Sequence, residues 1–199
     1  MFTLYSADYI NAPSNCSYPH KFEVTDTDSF ADAVRHDYVC AEYMNHYRNG
    51  DNFLGSDCLP VDCDNDHSEN PDDWVTPADV RSAFPGITFA VHYSRFNMRE
   101  KNGKPARPKF HVLFPIEYMT DAAAYSEMKK LVNTIFPYFD TKALDAARFF
   151  FGTANPEVEL YSGEMTISEY LSAEDFDADM SGGSYGSTQV IFEGSRNAT

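Results

Sequence analysis

Residues 59–66, LPVDCDND, constrain the fold more than any other stretch of the chain. Three apolar residues typical of a buried strand lead directly into aspartates at alternate positions. Because side chains alternate between the two faces of a strand, Asp62 and Asp64 are predicted to share one face. Val61 and Cys63 then point into the core. Two adjacent carboxylates repel each other unless a proton or a cation lies between them, so this strand end is predicted to need positive charge.

The aspartate pattern favours a metal site, and two other interpretations stay open. Hard divalent cations such as Mg²⁺ and Mn²⁺ prefer carboxylate oxygens, and pairs of these ions about 3.5–4 Å apart serve in-line attack at phosphorus. One alternative is a solvated acidic loop. The other is a calcium-binding loop, because the alternating aspartates fit positions one, three and five of an EF-hand and Asp73 fits position twelve. Against it, His67 replaces the glycine of position six, and a strand-like segment precedes the loop.

Charge is distributed unevenly along the chain. The 199 residues include 31 acidic and 15 basic ones, a net charge of −16, which on its face argues against nucleic acid as a partner. The local distribution matters more than this sum. Acidic residues are concentrated in 57–73 and 169–179, whereas six basic residues lie between positions 95 and 109: Arg95, Arg99, Lys101, Lys104, Arg107 and Lys109. The sequence therefore predicts one strongly acidic and one strongly basic place.

Hydrophobic periodicity predicts an α+β fold with a largely antiparallel sheet flanked by helices. Strands are predicted over residues 53–64, 87–98 and 107–116, with a short extended piece over 136–140. The second and third of these strands are joined by a basic turn that contains Asn102-Gly103, a hairpin signal. Helices are predicted over residues 27–48, 76–84, 120–135 and 166–174.

The chain is predicted to form one domain over residues 1–174, with an N-terminal α/β lobe over about 1–55 and a core over about 56–165. From residue 175 it is acidic and rich in Gly and Ser, which predicts a tail or linker. No apolar run approaches the roughly 20 residues that span a membrane, and the N-terminus lacks a secretory signal. Four cysteines are too few for a disulfide scaffold. We therefore expect a cytoplasmic protein.

Three short motifs occur in a fixed order: DCD at 62–64, KFH at 109–111, and Asp140 at the end of FPYFD. This ordered set resembles the catalytic core of the archaeo-eukaryotic primase superfamily, the primase-polymerases. That family carries an Asp-x-Asp/Glu pair, then a Ser-x-His motif, then a third acid. The resemblance covers about residues 50–152, and Lys109 stands where the family usually has Ser. The variant looks most like the domains of phages, plasmids and integrated mobile elements.

The resemblance implies an RRM-like, mostly antiparallel sheet and a template-directed nucleotidyl transfer from nucleoside triphosphates with two Mg²⁺ or Mn²⁺ ions. It implies catalytic roles for Asp62, Asp64, His111 and Asp140, of which the three aspartates hold the metal ions. It implies nucleotide contacts by Lys109, His111, Arg148 and Arg95, and nucleic-acid contacts by Arg99, Lys101, Lys104 and Arg107. The expected partners are a single-stranded DNA template, nucleoside triphosphates and a helicase module C-terminal to this domain. The domain itself is expected to be monomeric and free of membranes.

These assignments have structural alternatives. His111 is equally a candidate core histidine, and Lys101 and Lys104 are candidate solvated turn residues. Asp140 is a candidate helix cap, which makes Asp145 the rival third acid. Arg148 lies three residues after Asp145 and can pair with it. The main functional alternative is a non-catalytic relative that keeps the fold as a nucleotide-binding or DNA-binding module of a replication complex.

Overall fold

The computed structural model describes residues 1–101 and 103–173. These residues form eleven strands: β1 (Phe2–Ser6), β2 (His20–Val24), β3 (Tyr38–Val39), β4 (Glu42–Tyr43), β5 (Phe53–Cys63), β6 (Phe89–Tyr93), β7 (Arg99–Lys101), β8 (Lys104–Arg107), β9 (Phe110–Met119), β10 (Phe149–Phe150) and β11 (Val158–Tyr161). They also form four α-helices: α1 (Thr27–Ala33), α2 (Pro77–Ala83), α3 (Ala122–Ile135) and α4 (Ile167–Ala173). Within the described ranges, no helix is both long and apolar enough to cross a membrane. The tail predicted over residues 175–199 lies outside them.

The centre of the molecule is a five-stranded antiparallel sheet with the strand order β11-β6-β9-β5-β4. Side chains of β5 and β9 alternate between two buried faces. Val61, Cys63 and Phe110 belong to a core cluster that includes side chains of α2, α3 and α4. Cys58 and Leu113 face the other way and pack with residues of the N-terminal sheet. The central sheet is therefore covered by helices on one face and by a second sheet on the other.

The second sheet has four antiparallel strands in the order β10-β3-β1-β2. Its first three strands in the chain, together with α1, come from the N-terminal part of the sequence, but its edge strand β10 comes from far along the chain. The N-terminal lobe expected over residues 1–55 is thus completed by a C-terminal strand. This pairing brings Arg148, the residue before β10, to the interface between the two sheets, where it contacts Asp62.

The α+β fold class with a mostly antiparallel sheet is confirmed, and the elements of the central layer were predicted well. β5 lies inside the predicted range 53–64. Thr76 precedes α2, whose first residue is Pro77, and the side chain of Asp121 caps α3 by accepting two backbone hydrogen bonds. The basic turn between β6 and β9 forms an additional two-stranded ribbon, β7–β8.

The helix predicted over residues 27–48 is wrong beyond Ala33, where α1 ends. The chain turns away from the helix at Asp37, a buried carboxylate that accepts backbone N–H groups of Asn11 and Gly152 at 3.1 and 3.0 Å. The following residues form β3 and β4, and β3 pairs with β1 and β10. Long-range sheet pairing thus overrides the helical spacing of the apolar side chains.

Candidate active site

Three polar side chains form a row across adjacent strands of the central sheet. Asp62 near the end of β5 is the register partner of His111 on β9, and His111 is the register partner of His92 on β6. Residues paired in register place their side chains side by side on one face. All three are buried, and His111 Nε2 lies 3.7 Å from Asp62 Oδ1. The structure thus brings together the first acid of the DCD motif and the histidine of the KFH motif.

Asp62 is a buried carboxylate whose charge is only partly compensated. Its Oδ2 accepts a hydrogen bond from Arg148 Nη2 at 3.3 Å. Burial above all, with added repulsion from Asp64 and Asp140, raises the pKa of Asp62 to about 7 despite the opposing guanidinium. The three acids predicted as metal ligands therefore share one electrostatic environment.

Asp140 is placed beside the end of β5 by its backbone. Its N–H donates to Asp62 O at 2.7 Å. Its carboxylate accepts from Lys142 N at 2.9 Å and caps the 3₁₀-helix Thr141–Ala143, so its capping alternative is also realised. The extended piece predicted over residues 136–140 is wrong, because residues 136–139 form bends and turns. Asp140 nevertheless lies next to the first motif through this backbone hydrogen bond.

Lys109 supplies a cation to Asp64. Its buried ammonium lies 2.9 Å from Asp64 Oδ1 and donates to the Asp64 carbonyl at 2.9 Å. The sequence predicts this ammonium beside a triphosphate, on the same strand face as His111, whereas in the structure Lys109 precedes β9 and contacts the acidic segment. Each acid of the first motif therefore has a cationic partner, Arg148 at Asp62 and Lys109 at Asp64.

The acids suit a hard divalent cation by their donor chemistry. Asp62, Asp64 and Asp140 offer the carboxylate oxygens that Mg²⁺ and Mn²⁺ prefer. Across residues 1–101 and 103–173, however, no group of three or more His, Cys, Asp or Glu side chains is arranged to hold a metal ion. Arg148 and Lys109 already pair with two of the acids. A metal ion that uses both would have to compete with these side chains.

Tyr38 on β3 links the two histidines of the row. Its hydroxyl is 3.0 Å from His92 Nδ1 and 3.0 Å from His111 Nδ1. Burial lowers the pKa of both imidazoles, that of His111 to about 3, so both are neutral at pH 7 and the contact with Asp62 is not an ion pair. No sequence signal identifies this link, because Tyr38 falls in the wrongly predicted helix and its partners lie on distant strands.

A cleft of about 600 Å³ opens at the His92 end of this row. Thr153 lines the cleft, and its hydroxyl is 3.3 Å from His92 Nε2. Arg95 and Arg99 line another part of the wall. The Arg95 guanidinium carbon lies 4.2 Å from the ring centroid of Phe151, a cation–π contact. Stacked guanidinium groups and aromatic rings suit a ligand that is both aromatic and anionic.

The basic residues of the β7–β8 ribbon differ in their exposure to solvent and in their contacts within the chain. Arg99 and Lys104 are exposed, and the Lys104 ammonium lies 3.2 Å from Asp66 Oδ1. Lys101 is half-buried, with its ammonium 4.9 Å from the ring centroid of Phe96. These three side chains remain accessible to an anionic ligand, and two of them already have partners within the chain.

Arg107 is a structural residue instead of the nucleic-acid contact that the sequence predicts. Its side chain has 0% exposed surface, and its guanidinium donates to Asn65 O at 2.8 Å and to Glu69 Oε2 at 2.8 Å. The guanidinium also lies 5.2 Å from the ring centroid of Trp74. A group enclosed in this way cannot reach a phosphate backbone, so we leave Arg107 out of the proposed nucleic-acid surface.

Two alternatives from the sequence fit the geometry poorly. An EF-hand loop follows a helix, whereas the aspartates here follow strand β5, and Asp62 is buried within it. Asp145, the rival third acid, is exposed, and its carboxylate accepts from Ala147 N at 2.8 Å. Arg148 directs its Nη2 to Asp62. We therefore prefer Asp140 over Asp145 as the third acid.

Comparisons with known proteins add one structural neighbour. No family model matches the chain, and no curated protein matches it. Among solved structures, it is similar to the AEP domain (PP-N190) of the primase-polymerase (PrimPol) of cyanophage S-2L, with a TM-score of 0.47 and 12% sequence identity. That alignment covers 86% of this chain and 88% of the other. These results leave the function to be argued from the site.

Proposed function

We propose that this chain is a template-directed primase-polymerase catalytic domain, which transfers nucleotides from nucleoside triphosphates during replication of a phage or mobile element. The observation that carries the proposal is the convergence of Asp62, His111 and Asp140, from three separate segments, at one end of β5. Arg148 and Lys109 add two cationic side chains at the same place. Carboxylates, a histidine and cations in contact are the groups that phosphoryl chemistry uses.

In this proposal Asp62, Asp64 and Asp140 would hold two divalent ions, Mg²⁺ or Mn²⁺. Such ions supply activation of a 3′-hydroxyl and stabilisation of the charge that develops on the α-phosphate and the pyrophosphate. The need for positive charge at this site is supported by the raised pKa of Asp62, which reflects an acid that burial and neighbouring carboxylates disfavour in its charged form.

The side chains around the acids bind the triphosphate. His111 directs Nε2 towards the acid pair, where it can donate to a phosphate oxygen. Arg148 offers a planar guanidinium that can contact a phosphate while it stays near Asp62. Lys109 is a point charge beside Asp64 and neutralises phosphate charge from the other side.

The cleft beside Thr153 receives the remainder of the nucleotide or the template base. Arg95 contacts Phe151 there, and the exposed Arg99 lies on the same wall. Stacking on aromatic and guanidinium planes tolerates any base, as a template-directed enzyme requires. Lys101 and Lys104 lie on the β7–β8 ribbon and line a separate pocket with Asp64 and Lys109, where they would contact the backbone of a single strand.

The test is incubation with a primed or unprimed single-stranded template, Mg²⁺ or Mn²⁺ and labelled nucleotides. We expect product from the wild-type chain and none from Asp62→Ala/Asp64→Ala. The matched control is Asp72→Ala/Asp73→Ala, which removes two exposed acids of the same acidic segment and should leave incorporation unchanged. Product that persists in the Asp62/Asp64 variant would contradict the assignment of these two acids as metal ligands.

A second candidate function is favoured by the ion pair between Lys109 and Asp64, because a chain that neutralises its own acids has less need of metal ions. In that case the domain binds nucleoside triphosphates within a replication complex without incorporating them. Equilibrium binding of a fluorescent nucleotide separates the two functions. Binding that depends on Arg148 and His111, with no product under any metal condition, identifies the non-catalytic module.

A further inference from the structure

The hydroxyl of Tyr38 occupies an unusual position between two imidazoles. The side chain is fully buried, and its ring stacks on Phe150 with centroids 5.5 Å apart. The hydroxyl makes two hydrogen bonds of 3.0 Å, to Nδ1 of His92 and to Nδ1 of His111. Tyr38 is also fixed at the backbone, because β3 pairs on both sides, with β1 and with β10. A phenol held this firmly determines what its two partners can do.

Counting protons restricts the tautomers of the two rings. A phenol carries one hydrogen, so Tyr38 donates to one Nδ1 and accepts from the other. Two imidazolium rings would both donate and would leave the buried O–H without an acceptor, which is costly. His92 and His111 must therefore be in opposite tautomers, one with its proton on Nδ1 and the other with its proton on Nε2.

The groups around the two rings decide which histidine carries its proton on Nε2 and which on Nδ1. His111 Nε2 faces Asp62 Oδ1 at 3.7 Å, and a lone pair on this nitrogen would repel the lone pairs of that carboxyl oxygen. A proton on Nε2 removes this repulsion. His111 Nδ1 then accepts from the Tyr38 hydroxyl, and the phenol oxygen accepts from Nδ1–H of His92. His92 Nε2 is left as an acceptor for the hydroxyl of Thr153 at 3.3 Å.

We propose that Tyr38 is a positioning residue that fixes the tautomer and ring orientation of His111, so that its Nε2–H is presented to the acid pair and to an incoming phosphate. His92 and Thr153 extend the same chain of hydrogen bonds to the wall of the cleft. The tautomer of a histidine is set by the hydrogen bond that its other nitrogen makes. The functional part of this inference rests on the proposed function, whereas the tautomer itself does not.

The first test is an NMR measurement that needs no substrate. The imidazole nitrogen shifts of the ¹⁵N-histidine-labelled chain report which nitrogen carries the proton, and His92→Gln and His111→Gln variants assign the signals. We expect Nε2–H on His111 and Nδ1–H on His92 in the wild-type chain. The opposite pattern, or two rings in the same tautomer, overturns the proposal without any need for a Tyr38 variant to fold.

The second test compares Tyr38→Phe with Tyr125→Phe. Tyr125 is also fully buried and loses a comparable hydrogen bond, from its hydroxyl to Cys58 O at 2.7 Å, but it lies on α3, in the core cluster on the helix side of the sheet. In Tyr38→Phe we expect the His111 nitrogen signals to shift towards a mixture of both tautomers, whereas Tyr125→Phe should keep the wild-type pattern. Unchanged His111 signals in Tyr38→Phe overturn the proposal.

Activity then provides an independent measurement. In Tyr38→Phe we expect a roughly tenfold lower kcat/KM for nucleotide incorporation, about the effect of one lost hydrogen bond, while Tyr125→Phe stays near wild type at a temperature where both remain folded. If the wild-type chain makes no product but its tautomers depend on Tyr38, the proposed function fails and the positioning role stands. Equal kcat/KM in Tyr38→Phe and wild type overturns the functional part of the inference.

Discussion

Lys129 is a buried lysine whose electrostatic cost to folding can be measured through the pH dependence of stability. It is buried on α3 with only 1% of its surface exposed. Its ammonium donates to Asp145 O at 2.8 Å and lies 4.7 Å from the ring centroid of Tyr125. Asp145 precedes Arg148 by three residues. Lys129 therefore ties the backbone of the segment before Arg148 to α3.

The magnitude follows from the pKa of Lys129, which burial lowers from 10.5 to about 8. At about 1.4 kcal/mol per pKa unit, the buried charge costs about 3 kcal/mol of unfolding free energy at pH 7. Because the folded pKa lies below the unfolded one, the stability that this group can contribute is fully present above pH 10.5. It is lost as the pH falls through 8. Between pH 7 and pH 10 the free energy of unfolding should rise by roughly 2 to 3 kcal/mol from Lys129 alone.

The assay is urea unfolding of the wild-type chain and of Lys129→Met at intervals from pH 7 to pH 10. Loss of the hydrogen bond to Asp145 O costs Lys129→Met about 1 kcal/mol at every pH. The informative quantity is therefore the stability difference between variant and wild type, which should move by roughly 2 to 3 kcal/mol in favour of the wild type over this range. Lys130→Met removes the exposed neighbouring lysine and should show no such trend. A difference that does not change with pH would refute the reasoning.

Two further predictions concern the sheet interface and the basic ribbon. Gly152→Ala should lower the free energy of unfolding by about 2 kcal/mol or more, because its Cβ would lie 2.1 Å from His36 O, whereas Gly50→Ala, with nothing within 4 Å, should change it by less than about 0.5 kcal/mol in the same urea assay. Single-stranded DNA should bind weakly and in a salt-dependent manner, and Arg99→Ala/Lys104→Ala should reduce the slope of log affinity against log salt by about 0.7 for each charge removed, measured by fluorescence anisotropy. Filter binding that shows no DNA retention by the wild-type chain at low salt, with Mn²⁺ and nucleotide present, would contradict the substrate assignment.

The elements that the sequence predicted correctly are those whose signals are local. The apolar lead-in to Asp62 and the alternation around it locate the end of β5, because period-two burial is a property of a single strand. The cap at Asp121 likewise locates the start of α3. Where a side chain lies within one element, its neighbours in the sequence largely determine its environment. These features placed Asp62 and His111 on two separate strands, and the structure shows that these strands are paired.

The features that the sequence could not predict depend on pairing between distant segments. Tyr38 follows a helical spacing but becomes a strand residue because β10 pairs with it from the far part of the chain. The burial of Arg107 depends on carbonyl and carboxylate groups of the acidic segment, which lies on the other side of α2 in the sequence. Neither partner can be identified from composition or periodicity, since both are brought into contact by tertiary structure alone.

The two aspartates at the end of β5, Asp62 and Asp64, lie in unequal electrostatic environments. Asp64 has an ammonium at 2.9 Å and remains partly exposed, whereas Asp62 is more deeply buried and has a guanidinium at 3.3 Å. At Asp62, burial outweighs the nearby positive charge and raises the pKa. A cation that approaches this strand end gains most from Asp62 and meets competition from Lys109 at Asp64. The repulsion evident in the sequence is thus largely relieved on one acid and retained on the other, beside the histidine that Tyr38 positions.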